Sequence, residues 1–243
     1  MDEAIIVVGG GAAGMMAAGR AASVGAPVLL LEKTPKLGNK LRITGKGRCN
    51  VTNVAPWNEF IARFGANGRF LYGAFSQFFA EDLRAFLAER GVPTVVERGG
   101  RVFPEANDAD VVAEALVGYL RQGQVTVRRR TPVSQILMED GRVTGVLSGE
   151  REFRGRCVIV ATGGCSYPGT GSTGDGYRLL AQLGHTIIAP RPALVPLLVA
   201  EPFVGRLQGL SLRNIRVTLL ASGSVLQSLF GEMLFTSDGV SGP

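Results

Sequence analysis

Cysteine and histidine are both scarce in this chain of 243 residues, which has three cysteines and one histidine. Cys49, Cys157 and Cys165 form no C-x-x-C pair, so a disulfide framework, a structural zinc site and the cysteine pair of a disulfide reductase are not expected. We interpret Cys49 and Cys165 as small packed thiols. His185 follows Gly184 at a predicted helix end, which favours a helix partner or a packed side chain over a catalyst. The sequence thus predicts no metal site and assigns no catalytic residue.

Long hydrophobic runs are missing as well. The apolar residues 4–8 are too few for the core of a signal peptide and lead into glycines rather than a cleavage site. No stretch of the sequence reaches the length of a membrane span. We therefore expect a soluble, cytoplasmic protein with no membrane partner.

Acidic residues are outnumbered, with 20 Asp and Glu against 26 Lys and Arg, which gives a formal net charge of +6. The basic residues are spread along the chain, apart from the short run Arg128, Arg129 and Arg130, which we interpret as a solvated strand end. No basic helix with interleaved stacking aromatics is found, so no nucleic-acid partner is expected. For the aromatic-rich residues 57–79, core packing is the default interpretation, and a role for some of the rings in lining a cleft stays open.

Glycine, by contrast, is abundant, with 34 residues and no collagen-like period. Glycines concentrate between predicted strands and helices, where backbone can approach a ligand closely. Residues 4–8 read as a strand buried on both faces, residues 12–24 as a helix that ends at Gly25, and residues 28–31 as a second buried strand. The chain therefore opens with a β-α-β unit.

A glycine turn joins the first strand to the first helix. Gly9, Gly11 and Gly14 fit G-x-G-x-x-G, in which the first glycine permits a tight turn, the second lets backbone reach a pyrophosphate and the third lets helix pack on strand. Glu32 ends the second strand, at about the 20-residue distance typical of a ribose-binding acid. Its carboxylate would repel a 2′-phosphate, which favours FAD or NAD over NADP. The alternative is a tight turn without a ligand.

The rest of the chain mixes helices and strands. A long polar loop is predicted at 34–54, a helical stretch at 60–91 with Ser76 as a candidate N-cap, a second helix at 108–122, an antiparallel meander from 133 to 154, a buried strand at 157–161, and strands of another module at 217–220 and 225–229. Prolines punctuate the chain after Pro190, and we place a domain boundary there.

The choice between FAD and NAD depends on the elements that come after Glu32. A simple NAD dehydrogenase would continue to alternate strands and helices, whereas here a long loop and later a meander lead to a strand that ends in Ala161-Thr162-Gly163. This order resembles the glutathione-reductase-like flavoproteins, in which such a strand end lies near FAD. By the same resemblance, the backbone of Val133 would meet adenine.

The loop from Gly38 to Asn53 carries the most specific sequence, GNKLRITGKGRCNVTN. It resembles the signature of the BaiN/YhiN-like family of NAD(P)/FAD-dependent oxidoreductases, some of which are described as aminoacetone oxidase-like. Residues 161–177 and 234–243 resemble two further runs of that family. Ser237 stands where the family commonly has His, and Thr44 replaces the usual Ser. Family members continue beyond residue 243, so we expect this chain to be a fragment.

The resemblance and the glycine turn together imply an α/β, Rossmann-like FAD-binding domain, glutathione-reductase-like, with a parallel sheet plus a β-meander at 1–190. Residues 191–243 would begin an inserted, mostly-β substrate domain, and a C-terminal return segment would complete the FAD site. The candidate cofactor-binding residues are Gly9, Gly11, Ala12, Ala13, Gly14, Glu32, Lys33, Gly38, Lys40, Thr44, Gly45, Gly47, Arg48, Cys49, Asn50, Thr52, Asn53, Val133, Ala161, Thr162 and Gly163. Lys40 and Arg48 would neutralise the pyrophosphate or lie near the flavin, where charge of reduced flavin develops.

The expected function is hydride transfer between a small organic substrate and FAD, with NAD(P)H or oxygen as the other redox partner. Two alternatives stay open: a non-catalytic FAD- or nucleotide-binding module, and an FAD-dependent RNA-modifying enzyme of related architecture. The sequence indicates neither the substrate nor the oligomeric state.

Overall fold

The structure, a computed structural model, describes residues 3–242 and divides into two compact units, one ending at Ile187 and the other beginning at Ile188. The helices of the first unit are α1 Ala12–Ser23, α2 Asn39–Ile43, α3 Trp57–Ala62, α4 Tyr72–Phe75, α5 Ala80–Ala88, α6 Ala109–Gln122 and α7 Asp175–Gln182. Its strands are β1 Ile5–Val8, β2 Val28–Leu31, β3 Thr52–Asn53, β4 Thr94–Glu97, β5 Arg101–Pro104, β6 Thr126–Arg128, β7 Gln135–Glu139, β8 Arg142–Ser148, β9 Arg151–Arg154 and β10 Cys157–Val160.

A parallel sheet with the strand order β10-β1-β2-β6 forms the centre of the first unit. Successive residues of β1 point to opposite faces, as strand geometry requires. Ile6 and Val8 pack towards the meander and Leu179 of α7, while Val7 packs with Met15 of α1 and Leu116 of α6. Because both faces are covered, the strands read as continuous apolar runs. The predicted Rossmann-like parallel sheet is confirmed.

Two antiparallel sheets accompany the parallel one, with strand orders β7-β8-β9 and β3-β5-β4. The first is the predicted meander, and its first hairpin turns at Asp140 and Gly141, both at positive φ (50° and 74°). Two central residues at positive φ are what a two-residue hairpin turn demands, and Asp-Gly supplies them at little cost. The meander is therefore confirmed.

The helical stretch predicted at 60–91 is wrong as a single unit. Short helices and a 3₁₀ turn at Gly65–Leu71 replace it, because Gly65 adopts a left-handed φ of +64° and interrupts the helical path. Ser76 is not the N-cap of α5, since its hydroxyl donates to the carbonyl of Gly73. The side chain of Asp82 instead accepts the Phe79 N–H, at 2.7 Å, and α5 begins after that residue.

The long loop predicted at 34–54 is also more ordered than expected, because it holds α2, a 3₁₀ turn at Thr44–Gly47 and β3. The start of α6 agrees closely with the sequence, since the Asp108 carboxylate accepts the N–H of Asp110 at 2.8 Å. In residues 3–242 no helix is both long and apolar enough to cross a membrane.

The second unit is an antiparallel sheet with the order β11-β14-β13-β12. Its strands are β11 Leu197–Leu198, β12 Ser211–Ala221, β13 Ser224–Phe235 and β14 Gly239–Ser241. The strands predicted at 217–220 and 225–229 are parts of β12 and β13, which extend further than their apolar runs. Assignment of the two units as an FAD-binding domain at 1–190 and a substrate domain at 191–243 stays a prediction.

Candidate nucleotide-binding site

A cavity of about 320 Å³ lies at the carboxyl edge of the parallel sheet. That volume is at the lower end of the range for small-molecule sites. The four parallel strands end at one edge, so the residues that follow β1, β2 and β10 meet there. The wall comprises Val8, Gly9, Gly10, Gly11, Ala12, Ala13, Leu31, Glu32, Lys33, Thr34, Lys36, Gly38, Asn39, Lys40, Leu41, Thr44, Thr131, Val133, Ala161, Thr162, Gly163, Thr170, Gly171, Ser172 and Asp175.

The glycines after β1 have separate structural roles. Gly9 has φ +109°, and a Cβ there would lie 2.4 Å from the Ala161 carbonyl oxygen, so glycine is required. A Cβ on Gly14 would lie 1.8 Å from the carbonyl oxygen of Gly9, so this glycine permits the helix to pack on the turn. A Cβ on Gly11 would meet no protein atom within 4 Å. Only at Gly11 does the missing side chain leave open space beside the cavity.

The start of α1 faces that open space. Gly11 is the N-cap and contributes no side-chain cap to the helix. Ala12 and Ala13 follow it, are exposed, and line the cavity. First-turn N–H groups have no partner within a helix, and the helix dipole adds partial positive charge. The turn therefore offers N–H donors suited to an anion.

The Glu32 carboxylate, at the end of β2, is buried and held at both oxygens. Oε2 accepts the Gly10 N–H at 2.6 Å, and Oε1 accepts the Thr34 N–H at 2.7 Å. A carboxylate offers about four acceptor positions, so two backbone donors leave capacity for hydroxyl groups of a ligand. The fixed carboxylate is thus a hydrogen-bond acceptor at the cavity wall.

Two lysines connect the loop after β2 to a segment far along the chain. Lys33 Nζ donates to Thr173 Oγ1 and to Asp175 Oδ2, each at 2.6 Å. Lys40 Nζ donates to Ser166 Oγ at 2.8 Å. These contacts bring the residues between β10 and α7 to the cavity wall.

Asp175 also takes its position from this contact. It lies in the first turn of α7, directly after Gly174 at φ +81°. Burial by itself would raise the pKa of Asp175, but the hydrogen bond and the charge of Lys33, with smaller contributions from Thr173 and Arg178, lower the pKa below its ordinary value. Asp175 is therefore an ionised partner of Lys33 and has no feature of a general base.

Most of the candidate cofactor-binding residues come together at the cavity. These are Gly9, Gly11, Ala12, Ala13, Glu32, Lys33, Gly38, Lys40, Thr44, Val133, Ala161, Thr162 and Gly163. The remaining candidates, which do not line it, are Gly14, Gly45, Gly47, Arg48, Cys49, Asn50, Thr52 and Asn53. Apart from Gly14, all of the second group belong to the later half of the loop at 38–53.

Arg48, in the later half of the loop, makes structural contacts within the protein. Its guanidinium pairs with the Glu97 carboxylate, donates to Asn107 Oδ1 from Nε (2.9 Å) and Nη2 (2.7 Å), and lies 4.1 Å from the centroid of the Phe103 ring. The charge thus joins the loop to the β4–β5 region. In this structure Arg48 does not reach the cavity to which the sequence assigned its charge.

The neighbours of Arg48 are also engaged in structure. Cys49 is fully buried with Leu87 and Val92, and burial raises the pKa of its thiol, against a smaller lowering by Thr44. A Cβ on Gly45 would lie 2.9 Å from the Asn50 nitrogen.

Asn53 and Thr52 connect the end of the loop to β5. Asn53 Nδ2 donates to the Gly99 carbonyl, and Asn53 Oδ1 accepts the Ala55 N–H, each at 2.8 Å. Thr52 pairs with Val102 in the sheet. These contacts attach the end of the loop to β5 and to the turn before it.

Several wall residues were not among the candidates: Gly10, Thr34, Lys36, Asn39, Thr131, Thr170, Gly171, Ser172 and Asp175. The buried Ser172 stands next to Gly163, where an added Cβ would lie 3.0 Å from Ser172 Oγ. The G-S-T-G-D-G-Y run contains this serine, but the run by itself indicates no ligand role. Cys165, interpreted as a packed thiol, is exposed, so that interpretation is wrong. In the described part of the chain no three metal-ligating side chains cluster.

Comparison with known proteins gives a family match over nearly the whole chain. A model of the HI0933-like protein Rossmann domain matches residues 3–242. A ribosomal RNA dihydrouridine synthase from Haemophilus influenzae is 32% identical over 245 residues, which cover 98% of this chain and 59% of that protein. A 3-dehydro-bile acid delta(4,6)-reductase from Clostridium scindens is 34% identical over 238 residues, covering 97% of this chain and 57% of that protein. The chain thus spans less than two thirds of the length of these relatives.

A solved structure shares the fold. The open conformation of a flavocytochrome c3 fumarate reductase superposes with a TM-score of 0.55 at 18% identity, covering 87% of this chain and 47% of that one. At this identity the match concerns the fold alone.

Proposed function

This chain belongs to the HI0933-like Rossmann family, and from that premise we propose that it carries the FAD-binding site of a flavin-dependent oxidoreductase. The observation that supports the proposal best is the cavity, where an open glycine, a helix start and a fixed carboxylate meet. A dinucleotide needs donors for its diphosphate and an acceptor for its ribose hydroxyls, and this edge of the sheet has both.

Each part of the cofactor has candidate residues in the wall. The N–H groups of Ala12 and Ala13 would hold the diphosphate, with Gly11 leaving room for it. Glu32 would accept hydrogen bonds from ribose hydroxyls. The backbone at Val133 would face adenine, as it lines the same cavity. Gly38 to Thr44 and Ala161 to Gly163 would line the remainder of the cofactor.

The position of Glu32 also favours FAD or NAD over a 2′-phosphorylated nucleotide at this site. Its carboxylate is held towards Gly10 and Thr34 and cannot swing away without losing both backbone donors. A 2′-phosphate placed there would face a buried negative charge without a paired cation on that side chain. An adenosine with free hydroxyls meets an acceptor instead.

FAD supplies the redox chemistry when bound, by accepting or giving up a hydride. The protein's residues would bind and orient it: Ala12 and Ala13 would donate to anionic oxygens and Glu32 would accept from hydroxyls, while Lys33 with Asp175 fixes the wall at the start of α7. We assign no catalytic residue within 3–242.

The proposed reaction moves a hydride between a small organic substrate and FAD, with NAD(P)H or oxygen as the second redox partner. The relative from Clostridium scindens is named as a reductase of a 3-dehydro-bile acid, which supports an organic substrate and a reductive direction. Because this chain spans less than two thirds of the length of such relatives, the substrate and the activity of the whole protein are part of the proposal.

The test is reconstitution of the full-length protein with FAD, followed by gel filtration and anaerobic mixing with NADH or NADPH. Visible flavin absorbance that elutes with the protein and bleaches on mixing supports the proposal. Retained flavin that neither nicotinamide nor a panel of substrates bleaches favours the non-catalytic binding module. Protein that elutes without flavin refutes the proposal.

A second candidate is an FAD-dependent enzyme that modifies RNA. One observation favours it: the Haemophilus influenzae relative, at 32% identity, is named as forming dihydrouridine in ribosomal RNA. If this candidate is correct, flavin reoxidation by a total RNA fraction is lost after treatment of that fraction with ribonuclease. Reoxidation that survives the treatment contradicts it.

A further inference from the structure

Residues 57–79, here called the aromatic segment, form a distinct surface feature between β3 and α5. The segment holds Trp57, Phe60, Phe64, Phe70, Tyr72, Phe75, Phe78 and Phe79, in a chain that has only 12 Phe, four Tyr and one Trp. Short helices and a 3₁₀ turn present these rings, rather than one continuous helix.

Four of the rings pack together and make a base. The ring centroids of Trp57 and Phe79 lie 4.9 Å apart, those of Phe60 and Phe79 lie 5.0 Å apart, and those of Phe60 and Phe75 lie 5.4 Å apart. These separations are typical of favourable aromatic pairs. These four rings are only half-buried and none belongs to the buried core of the unit, so the interpretation as core does not hold for them.

The other rings of the segment are exposed. Phe70 is 89% exposed, Phe64 48%, Tyr72 42% and Phe78 39%. Exposed rings grouped within one short segment are unlike single apolar residues scattered over a surface, which need no explanation. For these four the interpretation as core is wrong.

Arginines lie between the exposed rings. Arg63 precedes Phe64 and Arg69 precedes Phe70, and both arginines are exposed. Among the residues that the structure describes, neither forms an ion pair. Glu59 is the segment's single acidic residue. The surface therefore combines ring faces with a net positive charge.

We propose that the aromatic segment binds unpaired bases of single-stranded RNA, with Phe70 offering a ring face and Arg63 and Arg69 contacting phosphates. Stacking platforms flanked by cations are how proteins hold single strands. The proposal rests on the RNA-modifying candidate function, and it departs from the expectation of no nucleic-acid partner, which considered only basic helices. A second copy of the chain fits the surface less well, because a two-fold contact would set arginines of like charge against each other.

The test uses the full-length protein and fluorescence anisotropy with a labelled oligouridine of about 15 nucleotides, which is within the span of one single-strand site. Phe70→Ala removes a ring that has little protein contact, so it leaves the fold intact. We expect at least about five-fold weaker binding of the single strand, since stacking one base contributes that much or more. Affinity for a duplex of the same length should not change, because its bases are already stacked.

The arginines give an independent readout. Arg63→Gln and Arg69→Gln should each lower the slope of log affinity against log salt concentration by about 0.7, the value for one phosphate contact on a single strand. Matched controls are Arg20→Gln, an exposed arginine of α1, and Phe203→Ala, a ring that is 44% exposed in the other unit. Neither control should change affinity or slope.

Unchanged binding in Phe70→Ala and in both arginine variants overturns the proposal. A second result also overturns it: light scattering shows a dimer for the wild-type protein and a monomer for Phe70→Ala, while RNA affinity is unchanged. The segment would then be a subunit contact. Flavin absorbance, measured in the same samples, reports on the proposed FAD site separately. A flavin-free protein whose RNA binding still depends on Phe70 would refute FAD binding and leave the aromatic segment's role supported.

Discussion

Replacing Gly11 by alanine should separate ligand binding from folding in the glycine turn. The new Cβ would meet no protein atom within 4 Å, and Gly11 has φ −78° and ψ −175°, which alanine adopts without strain. The free energy of unfolding of the ligand-free protein should stay within about 1 kcal/mol of wild type, because alanine restricts the unfolded chain but is a poorer N-cap than glycine. The methyl group would, however, project into the space proposed for the diphosphate.

The loss of FAD affinity can be bounded in the same way. Hydrogen bonds to a charged group contribute about 1.5–3 kcal/mol each, so displacing the diphosphate from one N–H donor weakens binding by about 10- to 150-fold. Titration of FAD into ligand-free full-length protein, followed by flavin fluorescence, measures this loss. Urea unfolding of the same samples without FAD measures stability.

Gly14→Ala is the matched control, because its Cβ would lie 1.8 Å from the Gly9 carbonyl oxygen. A backbone atom cannot yield as a flexible side chain does, so the turn must shift, and overpacking of this kind costs about 1–3 kcal/mol or more. The two variants should therefore differ in opposite senses, with Gly14→Ala losing stability and Gly11→Ala losing affinity. A Gly11→Ala protein that binds FAD as tightly as wild type would refute the placement of the diphosphate.

Three further predictions concern the residues around the cavity. Lys33→Met should lower the free energy of unfolding at neutral pH by up to about 1 kcal/mol, since the pair is partly exposed. The pKa of Asp175 is lowered in the folded state, so this difference should be present above the ordinary aspartate pKa and disappear as pH falls through the folded value in acid unfolding curves. Arg48→Met should lower the urea midpoint by the equivalent of about 1 kcal/mol, because it removes a partly exposed ion pair. FAD affinity, measured by titration, should stay unchanged. A large loss of affinity would instead support the flavin role predicted from the sequence. A disulfide reagent should modify Cys165 in the native protein and Cys49 only after unfolding, because one thiol is exposed and the other is fully buried; rapid labelling of both would contradict the packing around Cys49.

The parallel sheet and the meander could be predicted because local sequence determines them. Strands covered on both faces need uninterrupted apolar residues, and Asp140-Gly141 has the backbone preferences of its hairpin turn. The aromatic segment could not be predicted in the same way. The spacing of its apolar residues suits a helix. In the structure, however, the backbone at Gly68 approaches Ile61 so closely that a Cβ on Gly68 would lie 2.3 Å from the Ile61 carbonyl oxygen. This approach depends on a turn of the chain between the two residues. Apolar periodicity does not distinguish a ring packed inside from one on the surface.

The candidate site divides in a way that a motif alone does not reveal. Residues 38–53 form one continuous signature, yet only its first part lines the cavity, while its second part contacts the β4–β5 region. Lys46 and Cys49, which have side chains, adopt left-handed φ values of 59° and 62°. Such a loop needs support from outside, and Arg48 obtains it from Glu97, which lies on a strand far along the chain. One continuous signature therefore supplies part of the cavity wall at its first positions and support for the loop at its later ones.

The wall opposite this loop depends even more on distant residues. Lys33 contacts Thr173 across 140 positions, and Lys40 contacts Ser166 across 126. A lysine next to a glycine turn is normally read as a partner for phosphate, since its charge is the evident attraction. Here the ammonium groups of Lys33 and Lys40 each have an oxygen partner within the protein, so we expect the helix start at Ala12 and Ala13, more than these two lysines, to supply donors to a diphosphate. The lysines then act chiefly by holding the segment between β10 and α7 against the cavity, and a change at Lys33 should disturb that wall before it disturbs the charge that the cofactor meets.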